Sequence, residues 1–221
     1  MLAASPGYSK GFCPPCSPYS TLGLGGEAIV PGTADIGNHC DDCTTTVTLP
    51  FAVTIYGLGP FTTANVSSNG TVQFLSNIAP SANTCLPSAS HDTTIFAHWD
   101  DLRTDAQPGC AAFPGATCGI FTSVSGVAPN RIFNIEWRVV HAGAPASAAN
   151  FEVRLFEPAP QQDDFSIVFG VLGNGGTGAT VGVQCNTGSF FQQSSCNTAV
   201  GQNAIHYFCP LPVELTGFTV E

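Results

Sequence analysis

The chain has 221 residues, of which 15 are acidic and only 5 are lysine or arginine, for a formal net charge of −10. This balance excludes the basic surface that nucleic acids and anionic membranes require, and no apolar run reaches the roughly 20 residues that cross a bilayer, so neither partner is expected. Charged residues make up 9% of the chain, against roughly 25–35% of a typical monomer surface, which predicts an exterior covered by glycans, hydroxyl-rich side chains or neighbouring subunits.

The first 43 residues are rich in proline, glycine and cysteine and show no helical or strand periodicity, so residues 1–43 are predicted to form an irregular arm. Two Cys-x-x-Cys pairs lie in this arm, and four thiolates at such spacing are also the ligand set of a tetrahedral zinc site. A redox role is excluded because residues 17–26 do not form the helix that activates a redox thiol. Disulfides, including cross-links between the two pairs, are the favoured interpretation.

Ten cysteines, an even number at high density, predict disulfides and an oxidising, extracellular environment. The disulfide candidates are Cys13, Cys16, Cys40, Cys43, Cys85, Cys110, Cys118, Cys185, Cys196 and Cys209. Spacing alone does not fix the connectivity, and only two local pairs are predicted: Cys110 with Cys118, and Cys185 with Cys196.

Short strands recur from residue 44 onward without helical crossovers, which predicts a β-sandwich domain over residues 44–209. Strands are expected at 44–56, at 61–74 around a Ser-Ser-Asn-Gly turn, and at 93–99, followed by a loop and a strand from residue 119. Residues 165–172 and 179–184 are predicted to pair with each other, residues 185–196 to form a loop, and residues 204–208 to form the last strand of the domain. Because two prolines interrupt the pattern, residues 210–221 are predicted to be a C-terminal extension strand. The predicted fold class is all-β, an antiparallel, jelly-roll-like sandwich.

The segment 131–157 (RIFNIEWRVVHAGAPASAANFEVRLFE) is predicted to be a hairpin, because two alternating runs flank a turn of small residues. Two cross-strand ion pairs select its register, with Arg138 opposite Glu152 and Glu136 opposite Arg154. The same register turns the alternate apolar side chains toward the core: Ile135, Trp137, Val139, Phe151, Val153 and Leu155.

Acidic residues follow the strand at 93–99, next to His98, and loop oxygens of this kind hold calcium in proteins. The favoured interpretation is a loop in which Arg103 neutralises one carboxylate, and no cofactor is expected. The weaker alternative is a calcium site at Asp100, Asp101 and Asp105. Asp35, Asp41 and Asp42 form a second, weaker candidate set.

Two N-glycosylation sequons, at Asn65 and Asn69, lie at one predicted hairpin tip. Sugar there would cover a surface that is short of charge. In the alternative interpretation, the Asn and Gly residues only build the turn.

No enzymatic activity is expected. The sequence has no Gly-x-Ser-x-Gly motif, and its five histidines show no triad signature. Glu136 and Glu152 are not expected to be glycosidase carboxylates, because their predicted arginine partners disfavour the protonated acid that such chemistry needs.

Several sequence segments between residues 44 and 184 resemble the β-domains of secreted bacterial surface proteins and, more distantly, the extracellular nidogen-type (NIDO) domain. These segments are NVSSNGTVQF, IFAHWDDLRTD, APNRIFNIEWR, NFEVRLFE and ATVGVQ. The resemblance implies adhesion, matrix or cell-surface architecture, and it carries over no catalytic residues.

The resulting expectation is an extracellular or cell-surface structural protein, a subunit that self-assembles with copies of itself into a filament or surface layer. The arm or the last strand would pack onto a neighbour by strand addition. The alternative is an adhesin or carbohydrate-binding module, in which exposed aromatics such as Tyr19, Phe190 or Phe191 stack on glycans.

Overall fold

Two antiparallel sheets build the protein in the computed structural model, which describes residues 18–157, 164–188 and 190–209. In chain order the strands are β1 (Ser20–Leu24), β2 (Ala34–Asp35), β3 (Thr44–Ile55), β4 (Leu58–Ser67), β5 (Thr71–Gln73), β6 (Thr94–Trp99), β7 (Leu102–Arg103), β8 (Gly119–Ser125), β9 (Ile132–His141), β10 (Ala144–Phe156), β11 (Phe165–Leu172), β12 (Thr180–Gln184), β13 (Phe191–Cys196) and β14 (Ala204–Phe208). A short 3-10 helix, Pro108–Ala112, lies between β7 and β8.

The larger sheet has the strand order β1-β14-β11-β10-β9-β8-β2, and β7 pairs with β9 outside this path. The smaller sheet has the order β13-β12-β6-β5-β4-β3. Alternating side chains from both sheets meet between them and form one hydrophobic cluster. The arrangement confirms the predicted all-β sandwich.

Aromatic side chains fill much of this core. The rings of Trp137 and Phe151 stack with centroids 5.1 Å apart, and those of Phe165 and Tyr207 stack at 4.6 Å. Trp137 also donates its indole N–H to the carbonyl oxygen of Ser67 in the opposite sheet, at 2.9 Å. Each such buried side chain contributes about 1.5–3 kcal/mol through removal of apolar surface from water, so the two sheets are held together mainly by this layer.

The hairpin at 131–157 is present as β9 and β10, but its predicted register is wrong. Glu136 lies opposite Glu152, and Arg138 lies opposite Asn150, a displacement of two residues from the expected pairing. A shift of two leaves every side chain on its original face, so the six predicted core residues are all buried. The charges do not select the register, because each arginine pairs with a glutamate on its own strand.

The predicted pairing of residues 165–172 with 179–184 is also wrong. The first segment is β11, which pairs with β10 and β14, whereas the second is β12 of the other sheet, which pairs with β6 and β13. The turn between them crosses from one sheet to the other. The segment 185–196, predicted as a loop, contains β13.

Residues 18–43 belong to the folded unit, although the sequence predicted only an irregular arm. Strand β1 pairs with β14 along its whole length, and β2 pairs with β8. The stretch between these strands lies against the outer face of the larger sheet. Residues 1–17 and the predicted extension strand at 210–221 lie outside the described residues.

Candidate functional site

The cysteines form disulfides, and the structure joins Cys110 to Cys118 as predicted. The other predicted local pair is wrong, because Cys196 bonds to Cys85 and Cys185 is part of a different disulfide. The expected cross-link from the second Cys-x-x-Cys unit is wrong as well, since Cys40 bonds to Cys43. This disulfide leaves no thiolates at positions 40 and 43 for zinc. Cys209 is also in a disulfide, and the predicted role of Cys13 and Cys16 lies outside the described residues.

The charged residues of the hairpin form a buried row on the outer face of the larger sheet. Arg138 lies 2.7 Å from Glu136, and the side chain of Arg154 contacts both Glu152 and Glu27. Residues 27–32 cover the row and supply backbone contacts, including N–H donors from Val30 to Glu152 (2.6 Å) and from Gly32 to Glu136 (2.8 Å). Burial raises the pKa of the Glu152 carboxyl, and its bonds to Arg154 oppose this effect. The row therefore has a structural role in fixing the N-terminal segment.

The three candidate calcium ligands do not come together. Asp105 forms a two-point ion pair with Arg103, at 2.7 and 2.9 Å, in agreement with the favoured interpretation for one carboxylate. Asp101 instead lies beside Asp41 and Asp42, which form an exposed acidic cluster with it. Burial and these neighbouring carboxylates raise the pKa of Asp101. Of the three predicted ligands, only Asp100 joins a mixed cluster of nitrogen and oxygen donors.

That second cluster consists of Asp100, His98 and His141, whose nearest ligand atoms all lie within 4.8 Å of one another. His98 is the penultimate residue of β6 and His141 is the last residue of β9, so facing strands from the two sheets bring the imidazoles together. Nε2 of His141 lies 3.7 Å from Oδ2 of Asp100. Sequence reasoning did not include His141 in this cluster. The only signal in the sequence that pointed to it was a histidine at the end of a predicted core strand.

His98 is completely buried, and burial with the nearby His141 lowers its pKa to about 3. Gly70 fixes the backbone position of His98, because the N–H groups of Ala97 and His98 both donate to the Gly70 carbonyl oxygen, at 3.0 and 3.2 Å. A Cβ on Gly70 would lie 2.2 Å from the His98 carbonyl oxygen, and φ of Gly70 is +76°. The glycine of the predicted Asn-Gly turn is thus required both by the turn and by the approach of β6.

The two sequons have different surroundings. Asn69 is completely buried, and its side-chain amide donates to Asp42 and to the Ala79 carbonyl, at 2.7 and 3.2 Å. A glycan on this nitrogen would have to lie inside the fold, so the predicted site at Asn69 is wrong and its turn interpretation holds. Asn65 is partly exposed, and glycosylation there stays a prediction.

Of the four sheet edges in the described residues, two carry features that block strand addition. Strand β2 has only two residues, and β3 contains Pro50. The other two edges, β1 (STLGL) and β13 (FQQSSC), contain neither proline nor charge. They lie side by side, since both line one groove of about 390 Å³. Among the predicted aromatics, Phe190 and Phe191 are exposed near this flank, whereas Tyr19 is buried in the core.

The family model of NIDO-related domains matches residues 18–209. Comparisons with curated proteins and with solved structures gave no match. NIDO-type domains are extracellular, and the disulfides agree with an oxidising environment. In the described part of the chain, no helix is long and apolar enough to cross a membrane. The match covers most of the sequence and confirms the distant resemblance to the NIDO domain, so this chain belongs to the NIDO-related family.

Proposed function

We propose that the protein is a secreted, non-enzymatic structural subunit at the cell surface, and that it associates with copies of itself through the flank formed by β1 and β13. The observation that carries this proposal is the pair of adjacent edge strands without charge or proline. Edge strands present unpaired backbone N–H and C=O groups, and natural proteins normally protect them. Two unprotected edges on one side of the sandwich support strand addition from a neighbouring molecule.

Charge supports the choice of a second copy as the partner. Each molecule carries a formal charge of −10, so two copies repel each other over most of their surfaces. The groove between β1 and β13 is lined by hydroxyl, amide and small apolar side chains. Leu22 on β1 and Phe191 on β13 are both 40% exposed and offer apolar surface to a partner. An uncharged flank is where like-charged copies approach at the lowest electrostatic cost.

The test is sedimentation equilibrium and negative-stain imaging of the full chain over a wide concentration range. We expect concentration-dependent association, and we expect Phe191→Lys to weaken it at least tenfold. Val127→Lys is the matched control, because it adds the same charge at a residue that is 77% exposed in the β8–β9 turn. A protein that stays monomeric at the highest concentration would overturn the proposal, as would a control variant that is impaired as strongly as Phe191→Lys.

The same groove favours a second candidate function, binding of glycans. Its lining includes Gln193, Ser195, Thr198 and Gln202, and such uncharged donors and acceptors suit sugar hydroxyls. A volume of about 390 Å³ accommodates one or two sugar rings. A glycan array probed with the wild-type chain and with Gln202→Ala tests this function. A hit that the variant loses supports it, and a blank array contradicts it.

A further inference from the structure

Two buried imidazoles face a carboxylate at one end of the sandwich, and neither imidazole is explained by the core packing alone. Both ring nitrogens of His98 are buried and have no hydrogen-bond partner among the described residues, and the same is true of Nε2 of His141. A buried polar atom without a partner costs about 1–3 kcal/mol. One nitrogen of His98 and Nε2 of His141, beside one carboxylate, form a donor set that suits a cation.

The hydrogen bonds around the cluster suit a metal ion. Nδ1 of His141 lies 3.1 Å from the carbonyl oxygen of Ser147, to which it donates, so Nε2 is the nitrogen that faces Asp100. On the third ligand, Oδ1 of Asp100 accepts the backbone N–H of Asp101 at 2.9 Å, which leaves Oδ2 directed at His141. Outer hydrogen bonds of this kind orient metal ligands in known sites.

We propose that His98, Asp100 and His141 form a binding site for a divalent transition metal of the zinc type. Tetrahedral zinc holds nitrogen and oxygen ligands at about 2.0–2.1 Å, which places two ligands about 3.4 Å apart. The 3.7 Å between His141 Nε2 and Asp100 Oδ2 comes within a few tenths of an ångström of that separation. The donor atom of His98 lies within 4.8 Å of both.

The donor set decides the class of metal. Two imidazole nitrogens and one carboxylate oxygen suit zinc and its neighbours, whereas calcium takes six to eight oxygens. Three protein ligands leave one coordination position, and the partly exposed Asp100 side chain opens the site to solvent on that side. The proposal therefore differs from both sequence-based interpretations, the loop without a cofactor and the calcium alternative at Asp100, Asp101 and Asp105.

The surrounding charge favours a cation. Asp101 interacts electrostatically with Asp100 of the cluster and with Asp41 and Asp42, and Arg103 opposes these carboxylates. The excess of carboxylates produces a negative potential at the open side of the site. A divalent ion would be drawn toward Asp100 and would relieve part of the repulsion there.

The experiment uses the full oxidised chain after treatment with a chelator. Isothermal titration with Zn²⁺ is expected to show one site, and His141→Ala is expected to lower its affinity at least 100-fold. His39→Ala is the matched control, because His39 contacts Asp35 at 2.8 Å in an exposed pair without a second histidine. Its zinc affinity should equal that of the wild type. Asp100→Asn, a partly exposed position, serves as a second test if His141→Ala fails to fold.

Co²⁺ provides an independent readout, because its visible spectrum reports the ligand set. We expect weak bands typical of nitrogen and oxygen ligands that disappear in Asp100→Asn. An intense near-ultraviolet band from thiolate ligands would overturn the assignment, as would a wild-type chain that binds no Zn²⁺ or a loss of binding in His39→Ala. Preferential binding of Ca²⁺ would also contradict it.

Discussion

Glu136 and Glu152 lie directly opposite each other on neighbouring strands, and both are nearly or completely buried, at 4% and 0% exposure. Like charges in this position normally destabilise a sheet. Here each carboxylate has an arginine two residues along its own strand and a backbone N–H from residues 27–32. Residues 27–32 and the two arginines thus stabilise the same pair of carboxylates. Removing either set of contacts should leave the carboxylates less well satisfied and so weaken the binding of the other set.

This arrangement predicts unequal effects of two similar substitutions. Glu136→Gln should destabilise the fold by about 3–5 kcal/mol, because the buried Arg138 has no other carboxylate in the described part of the chain. Glu152→Gln should cost about 1–3 kcal/mol, because Arg154 keeps Glu27 at 2.7 Å. Denaturant unfolding of both variants at pH 7 measures the difference. Equal losses would contradict the role assigned to Glu27.

The disulfides give a second prediction, because they close loops of very different length. Cys85 and Cys196 are 111 residues apart and join the loop after β5 to the edge strand β13, whereas Cys40 and Cys43 are 3 residues apart. Loop-closure entropy assigns about 5 kcal/mol to the first disulfide and about 2 kcal/mol to the second. The double Cys→Ala variant of each pair therefore forms a matched comparison in denaturant unfolding. A larger loss from the Cys40–Cys43 pair would contradict the entropic argument.

The sequence predicted those features that depend on local periodicity. Alternation in 131–157 identified the six core residues of the hairpin, and the Asn-Gly pair at 69–70 identified a turn that the structure contains. The sequence-based predictions failed for features that depend on residues distant in the chain, such as strand partners and the register of the hairpin. The sequence suggested that Glu136 and Glu152 each face an arginine across the hairpin. It contains no local signal that residues 27–32 supply hydrogen bonds to these carboxylates, so the cross-strand ion pairs were the only partners in view.

The same limit applies to the candidate site. Asp100 and Asp101 are neighbours in sequence, yet their side chains join different clusters, because consecutive residues point in different directions. His141 joins the cluster of His98 and Asp100 from β9, a strand of the other sheet that is distant from β6 in the sequence. A pattern within the segment 98–105 therefore suggested only an all-oxygen calcium alternative, whereas the fold assembles a cluster with two nitrogen donors.

A buried histidine gives a prediction about pH. His91 packs against the rings of Phe96 and Trp99, and burial lowers its pKa from 6.5 to about 4. The unfolded chain takes up a proton below pH 6.5 while the folded chain does not, so the free energy of unfolding falls as the pH falls from 6.5 toward 4. This one group should remove about 2 kcal/mol of stability between pH 7 and pH 5.

His91→Asn provides the measurement for this pH dependence. The variant loses ring packing and should be less stable at pH 7, but its stability should decline by about 2 kcal/mol less than that of the wild type between pH 7 and pH 5. Denaturant unfolding at the two pH values gives both numbers. An unchanged decline in the variant would show that His91 is not the titrating group.

The last prediction concerns Gly178, in the turn between β11 and β12, and it depends on the proposed metal site. A Cβ at this position would lie 2.8 Å from Oδ2 of Asp100, so alanine would displace the carboxylate without a clash with backbone. Gly178→Ala should fold with a stability within about 1 kcal/mol of the wild type, because Gly178 does not have a positive φ. Its zinc affinity should fall about tenfold or more, since one of three ligands is displaced. Gly201→Ala, where a Cβ meets nothing within 4 Å, should bind zinc as the wild type does. If Gly178→Ala retains full affinity in titration calorimetry, Asp100 is not a ligand.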